Sequence, residues 1–458
     1  MAVLPDRTFS PSPSPSTSAP AVRWAPAAIA SLVVAQILAG GANAGVASAI
    51  AAFADMLVAC ILLVTSPAAS RFWRYARWPI VLLAATLLWS ALPAILPQDL
   101  AQAWAVPANP AADMIGLSFA KALATILLLI VVASVSYRAG SARTLVFWLT
   151  IVAMIYSVYA ALDAIDWLTD SARAARYSGT IGNPNAAGIV FAVIALLTGG
   201  LVLAPDAGPM AMRLAALASC AVALILCALT GSRSALLLTL LFGVMLLVRR
   251  WRRWQDGRPP LRLVAPAALA LSALMVTVAI VTPIANRSAY LPEDADSRWA
   301  VVVHYATIAS QHPVWGHGLG SFFEVNQRTL TAETAPLYWN FGAAHNAPVQ
   351  VALETGWPGL ILLFVALAAI AVQILGARRD WWSIAPLCAL GAICGSAMVD
   401  IALNVPAVAA LAAILYGAVW GAALANGSAL RRPHPQRKAH RHRRAAKDRD
   451  EPVVEPAV

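Results

Sequence analysis

Charge is scarce in this chain. Asp, Glu, Lys and Arg together make up 12% of its 458 residues, where a soluble domain carries roughly 25%. Hydrophobic residues fill 60%, and the mean hydropathy is +0.72. So little charge over such a length excludes a soluble globular protein and implies a polytopic membrane protein. Cysteine is sparse as well. Cys60, Cys220, Cys227, Cys388 and Cys394 all fall inside apolar runs, at no spacing that suits a disulfide framework or a thiolate metal site. Acidic residues are outnumbered by basic ones, 21 against 32. The net charge of +11 is accounted for by basic cytoplasmic loops, and no nucleic-acid partner is expected. No internal repeat is visible. The stretch Gly316-His317-Gly318-Leu319-Gly320 is followed by no Gly-Lys-Ser/Thr and preceded by no strand, which excludes a nucleotide-binding loop.

What is present is a series of apolar runs near the ~20 residues that a bilayer core requires. The expected fold is all-α, with about twelve transmembrane helices at 25–42, 46–65, 78–96, 113–136, 143–166, 184–203, 211–230, 233–249, 263–283, 347–375, 383–400 and 405–424. A large loop, 284–346, separates the ninth from the tenth. The run at 347–375 is overlong for a straight crossing, which implies a tilt or a start above the bilayer. Residues 1–23, rich in Pro and Ser, are expected to form a disordered leader without a cleavable signal. Residues 24–425 form the membrane domain. Residues 426–458, with His434, His440 and His442 among the arginines, are expected to be a disordered basic tail that touches anionic lipid.

Orientation follows from the basic residues. With a cytoplasmic N-terminus, 25 of the 32 Lys and Arg fall in cytoplasmic segments and 7 do not. That asymmetry sets both termini in the cytoplasm and the 284–346 loop on the outer, periplasmic side. The exceptions are Lys121, Arg173, Arg176, Arg233, Arg287, Arg298 and Arg328, and each needs a reason to be where it is.

Most of these exceptions stand in polar motifs. Arg173 and Arg176 precede Gly179-Thr180-Ile181-Gly182-Asn183-Pro184-Asn185, in which Asn183 is the expected N-cap of the sixth span and Pro184 its first helical residue. Helix N-terminal amides beside arginines make a ready anion site. Arg233 lies in the tight turn Thr230-Gly231-Ser232-Arg233, where a cation near lipid either snorkels or faces an anionic ligand. Arg298 opens a stretch to Gln311 whose apolar face is read as Trp299, Val302, Val303 and Ala306, a helix expected to lie along the membrane surface. Arg298 can pair with Asp294 or Asp296 or point into a cleft. The group Glu293, Asp294 and Asp296 lacks further ligands at fixed spacing, so no metal is expected. Pro313 to Phe322 carries three glycines that permit tight turns or close backbone approach; His317 within it reads as a loop histidine. His345 and Asn346 cap the tenth span, with Gln350 and Glu354 on one helical face. A carboxylate there is costly without a partner, so Glu354 is expected to orient His345 or receive an arginine. His345 suits proton removal near neutral pH. Lys121 is expected to pair with one of the membrane aspartates, Asp55, Asp163, Asp166 or Asp400.

Taken in order, Arg176-x-Ser-Gly-Thr-Ile-Gly-Asn183-Pro-Asn, Thr230-Gly-Ser-Arg233, His312-Pro-x-x-Gly-x-Gly-x-Gly-x-Phe322 and His345-Asn-x-x-x-Gln-x-x-x-Glu354-x-Gly356 resemble the bacterial O-antigen ligase and O-antigen polymerase superfamily over roughly residues 75–425. The resemblance implies a GT-C type glycosyltransferase of the inner membrane with a periplasmic active site. It implies a glycan donor on undecaprenyl pyrophosphate, a lipid A–core or glycan acceptor, and no nucleotide sugar, metal or other cofactor. On it, His345 is the catalytic residue, and Arg233, Arg298 and Arg176 bind the donor pyrophosphate, with Asn183, Asn346 and Glu354 also lining the substrate site. Ligases and polymerases share these motifs. A transporter of lipid-linked sugars is the alternative of another class; it would show repeated halves, broken helices and ionisable residues near the midplane.

Overall fold

The computed structural model describes residues 20–43, 45–66, 70–138, 140–170, 176–206, 208–254, 291–377 and 380–430. The elements there are helical, with no strand among the described residues. In chain order the helices are α1 (Pro20–Leu38), α2 (Gly45–Thr65), α3 (Ser70–Ile95), α4 (Gln98–Ala103), α5 (Ile115–Ser136), α6 (Ser141–Thr169), α7 (Pro184–Leu203), α8 (Met210–Leu229) and α9 (Arg233–Trp254). They continue with α10 (Leu291–Ala309), α11 (Phe322–Thr329), α12 (Ala335–Tyr338), α13 (Ala347–Leu375), α14 (Trp381–Ala397) and α15 (Pro406–Leu430). Nine helices among the described residues are long and apolar enough to cross a membrane, and α1 and α14 contain shorter apolar helices. Eleven of the expected spans coincide with α1–α3, α5–α9 and α13–α15. The expected span at 263–283, the leader up to 19 and the tail from 431 lie outside the described residues.

The helix α7 is the axis of the bundle. It has no polar face, and 83% of its apolar window is buried by neighbours, against 17% for α3 and for α9, which sit at the periphery. It packs on α8, α14, α9 and α6. The most extensive helix pairing joins α5 to α15. There Gly417 and Gly421 lie directly against the backbone of Leu129 and Ala133; small residues one turn apart let two membrane helices approach and gain dispersion energy where no hydrophobic driving force acts. Two carboxylates inside the bundle are hydrogen-bonded. Gln36 donates to Asp55 across α1 and α2 at 2.7 Å, and the Tyr177 hydroxyl donates to Asp163 at 2.7 Å.

Helix ends collect into two sets. Gln373 near the end of α13 donates to the Tyr75 carbonyl near the start of α3, while Trp89 near the end of α3 donates to the Thr355 carbonyl near the start of α13. These two helices are therefore antiparallel. One end of the bundle holds the 3₁₀ turns Gly40–Ala42, Gly179–Ile181 and Ala402–Asn404, which touch one another or the adjacent helix starts. The other end holds Arg143, Asp206 and Arg213, with an Arg143–Asp206 ion pair at 2.6 Å.

The helix α10 differs from its expected form. It begins at Leu291 rather than Arg298, and its packed face is Val301, Tyr305, Ile308 and Ala309, whereas Trp299 is 68% exposed and Val303 is exposed too. Both faces are apolar, so periodicity alone did not select the buried one. The aromatic partners Phe322 and Tyr338, packed on Tyr305, decide it.

Candidate active site

The arginine-bearing turn is built from the end of α8. Thr230 is fully buried, its hydroxyl donates to the Cys227 carbonyl at 2.6 Å and accepts from the Ser232 amide at 3.2 Å. The Ser232 hydroxyl in turn accepts from the Ala235 amide, which caps α9 and places Arg233 at its first residue. Arg176 locks this turn from the side. Its Nε donates to the Thr230 carbonyl at 2.7 Å, its Nη2 donates to the Asn185 side-chain oxygen, and its side chain lies against Gly231. A guanidinium at the C-terminal carbonyls of α8 also answers the negative end of that helix dipole. Asn183 caps α7 as expected, its side chain accepting from the amides of Asn185 and Ala186 at 2.9 and 3.0 Å, with Pro184 first in the helix. Arg173 and the side chain of Arg298 lie outside the described residues, as do the side chains of Glu293, Asp294 and Asp296.

The histidine stands on the other side of the same end. Half-buried His345 has a φ of 53°, in the left-handed region that non-glycine residues avoid at a cost on the order of 1–3 kcal/mol. Both neighbours are pinned. The Ala344 amide donates to Gln350 Oε1 at 3.3 Å. Asn346 caps α13 by accepting from the Val349 amide at 2.9 Å and donates to the Met398 carbonyl at 2.7 Å. The His345 ring packs on Phe341 with centroids 4.7 Å apart.

The overlong tenth span is two helices. Gly356 has φ 71° and ψ 174° inside α13, and Pro358 supplies no amide hydrogen for the Glu354 carbonyl. The groups released by the break are taken up by the glycine loop. The His317 amide donates to the Leu353 carbonyl at 2.7 Å, the Gly318 amide to the Glu354 carbonyl at 3.1 Å, and the Trp357 amide to the Pro313 carbonyl at 2.8 Å. A side chain on Gly316 would meet the backbone of residues 354–356 at 2.6 Å, and one on Gly356 would overlap the Val314 carbonyl. These glycines therefore bring backbone to backbone, with no ligand between. The 357–375 portion is left at the length of one bilayer crossing.

Glu354 joins these parts. One carboxylate oxygen accepts from the Gly320 amide at 2.9 Å and the other from Gln350 Nε2 at 3.1 Å. The positive charge of Lys121 on α5 also acts on Glu354. Gln350 Oε1 also accepts from Asn404 Nδ2 at 2.7 Å. The turn holding Asn404 touches α7, and Val405 next to it lies against Gly41, as does Ile181. Through that turn the His345 segment and the Arg176–Asn183 segment share one end of the bundle. Sequence reading passed over Asn404 and Met398; a polar residue two positions before Pro406, at an outer helix end, was the available signal for the first. It also passed over a stack of three indoles, Trp89 on Trp315 at 4.8 Å and Trp315 on Trp104 at 6.0 Å, each pair within 7° of parallel. His317, in the loop, donates from Nε2 to the Ile308 carbonyl at 3.2 Å; burial holds its pKa below the usual histidine value, and His312 adds to that shift.

Residues 218–364 match the family model described as O-Antigen ligase. The match runs from α8 to the middle of α13 and so takes in the Arg233 turn, the glycine loop, His345 and the break at Gly356. Over these residues the chain is similar to the O-antigen ligase family. No curated protein matches the chain. Arg176 and Asn183 precede the matched segment, yet Arg176 is bonded to Thr230 inside it. The arginine turn of the matched segment is thus supported by residues that precede it.

Proposed function

We propose that this protein transfers a glycan from undecaprenyl pyrophosphate to a lipid A–core acceptor at the periplasmic face of the bacterial inner membrane. The observation that carries this reading is the meeting of two built segments at one end of an apolar bundle. One is the Arg233 turn, fixed by Arg176; the other is His345, held in a left-handed conformation between pinned neighbours. In the reaction, the acceptor hydroxyl oxygen attacks the anomeric carbon. The bond from that carbon to the pyrophosphate oxygen breaks, with inversion, and the electron pair leaves with the lipid pyrophosphate. His345 takes the proton of the hydroxyl. Arg233, with Arg298 as its expected companion, stabilises the growing negative charge of the leaving group through charge-assisted hydrogen bonds in a water-poor cleft. Arg176 and Asn183 act by holding the turn and the start of α7, and Asn346 by capping α13.

The polymerase alternative uses the same residues and differs in its acceptor, the next lipid-linked repeat. The transporter alternative gains one feature, the broken helix α13. In broken-helix transporters the unwound carbonyls are left to bind ions. Here the Leu353, Glu354 and Thr355 carbonyls are occupied by His317, Gly318 and Trp89, which favours transfer.

The test is a reconstituted reaction of purified protein, undecaprenyl-pyrophosphate glycan and lipid A–core. Glycan on lipid A is the expected product; chains lengthened on the carrier would indicate the polymerase, and vesicle transport without product the transporter. His345→Ala and Arg233→Ala are each expected to lower the rate by roughly 10²–10⁴-fold, the range of a lost general base or charge stabiliser. Wild-type transfer by both variants would remove the site assignment.

A further inference from the structure

The carboxylate of Glu354 has the residue type of a catalytic acid, base or cation ligand, but its hydrogen bonds describe another task. Both oxygens accept from this chain's own groups, the Gly320 amide and Gln350 Nε2. Gln350 passes the connection on, its oxygen accepting from the Ala344 amide and from Asn404. Ala344 is fully buried and adjoins His345, whose left-handed backbone has to be held by its surroundings. The Glu354 main-chain carbonyl meanwhile receives the Gly318 amide. We infer that Glu354 and Gln350 are positioning residues: a side-chain clamp that ties the glycine loop to α13 and sets the backbone at His345, with Glu354 acting as a hydrogen-bond acceptor and not through proton transfer or substrate contact. The functional half of this inference rests on the reading of His345 as the base.

The donor–acceptor pattern provides a sharp test. In Glu354→Gln the new side chain has one oxygen and one NH2. If the oxygen keeps the Gly320 amide, the NH2 faces the NH2 of Gln350, donor against donor. Gln350 can turn its oxygen to it only by withdrawing that oxygen from Ala344 and Asn404. The double exchange Gln350→Glu, Glu354→Gln restores every bond. A carboxylate at 350 accepts from Ala344 and Asn404 with one oxygen and from the amide at 354 with the other, while the oxygen at 354 accepts from Gly320. The negative charge, however, moves one helical turn, about 5.4 Å, from its place.

Two readouts follow. In the transfer assay, Glu354→Gln is expected to lower kcat at least about tenfold while the donor KM stays within about twofold, the pattern of a misplaced catalytic group. The double exchange is expected to return kcat to within about threefold of wild type. In hydrogen–deuterium exchange of the purified proteins, the peptide containing the Ala344 amide is expected to exchange faster in Glu354→Gln and to recover in the double exchange. A fully active Glu354→Gln, or a folded double exchange as impaired as the single one, overturns the clamp, since a carboxylate needed for its charge cannot be moved. Recovery of exchange protection without recovery of kcat assigns Glu354 a chemical role and overturns the inference equally. If wild type transfers no glycan, the functional reading falls, and the exchange at Ala344 still decides whether the clamp exists.

Discussion

At the scale of single residues, the arginines and histidines of this protein divide by what already holds them. Arg176 stands on the side where basic residues are few, and its hydrogen bonds to Thr230 and Asn185 give a structural reason for its place. The anion-binding reading of that position from sequence saw a helix start and two cations, but the bond partner lies 54 residues away, beyond any local pattern. Asn183 and Asn346 were legible as caps, because capping depends on a few neighbouring residues and both side chains accept from amides two or three positions on. His317 was legible only as a loop residue. Its half-buried ring binds fewer protons in the folded chain than in the unfolded one, since its pKa is held below the ordinary histidine value. Loop docking is therefore fully supported above pH ~6.5 and weakens as pH falls through that value. Thermal unfolding of wild type at pH 7.5 and 5.5 is expected to show a loss at the lower pH, and His317→Asn, which keeps a donor but cannot titrate there, a smaller loss. Equal losses would show that the ring does not report on docking.

At the scale of elements, α13 carries the main departure from sequence expectation. Its length was read as a tilt or a start above the bilayer, and the glycine loop as tight turns or a close approach of backbone to a ligand. The two observations answer each other, because the backbone that the loop approaches is the broken turn of α13 itself. A Gly-x-Pro pair inside an apolar run signals a break, but what fills the break comes from about 40 residues earlier, and no periodicity encodes such a pairing. The glycine and the proline contribute unequally. Gly356 adopts φ 71° and ψ 174°, a region open to glycine alone, and has no room for a side chain beside Val314. Gly356→Ala is expected to destabilise the protein by about 3 kcal/mol or more, from strain and overlap together. Pro358→Ala returns an amide hydrogen, but the Glu354 carbonyl is already occupied by Gly318. That change is expected to stay within about 1 kcal/mol and to leave the break in place. Thermal unfolding in detergent compares the two; a Pro358→Ala protein as damaged as Gly356→Ala would move the cause of the break from the glycine to the proline.

At the scale of the molecule, sequence reading located most of the membrane helices and missed how they neighbour one another. Hydropathy alone marks a 20-residue run, so eleven of the expected runs fall on helices, nine of them long and apolar enough to cross a membrane, with ends up to eight residues away. The central place of α7 and the α5–α15 contact were not legible, because they arise from shape, from small residues such as Gly417 and Gly421 meeting a particular backbone. The alternation of helices has a consequence that needs no partner assignment. If the ends near Trp104, Thr230 and His345 form one face, then Arg143, Asp206 and Arg213 form the other, and the excess of basic residues predicts a cytoplasmic location for that second face. Half-exposed Trp104, at 51%, and Trp339, at 63%, stand on the first face; Arg143, at 50%, stands on the second. In a chain from which the exposed Cys60 and Cys394 have been removed, a membrane-impermeant maleimide is expected to label Trp104→Cys and Trp339→Cys in intact cells with a permeabilised outer membrane. Arg143→Cys is expected to react only after the inner membrane is opened. The reverse pattern would turn His345 and Arg233 toward the cytoplasm, away from a lipid-linked glycan that is assembled into its final acceptor outside, and the proposed reaction would lose its compartment.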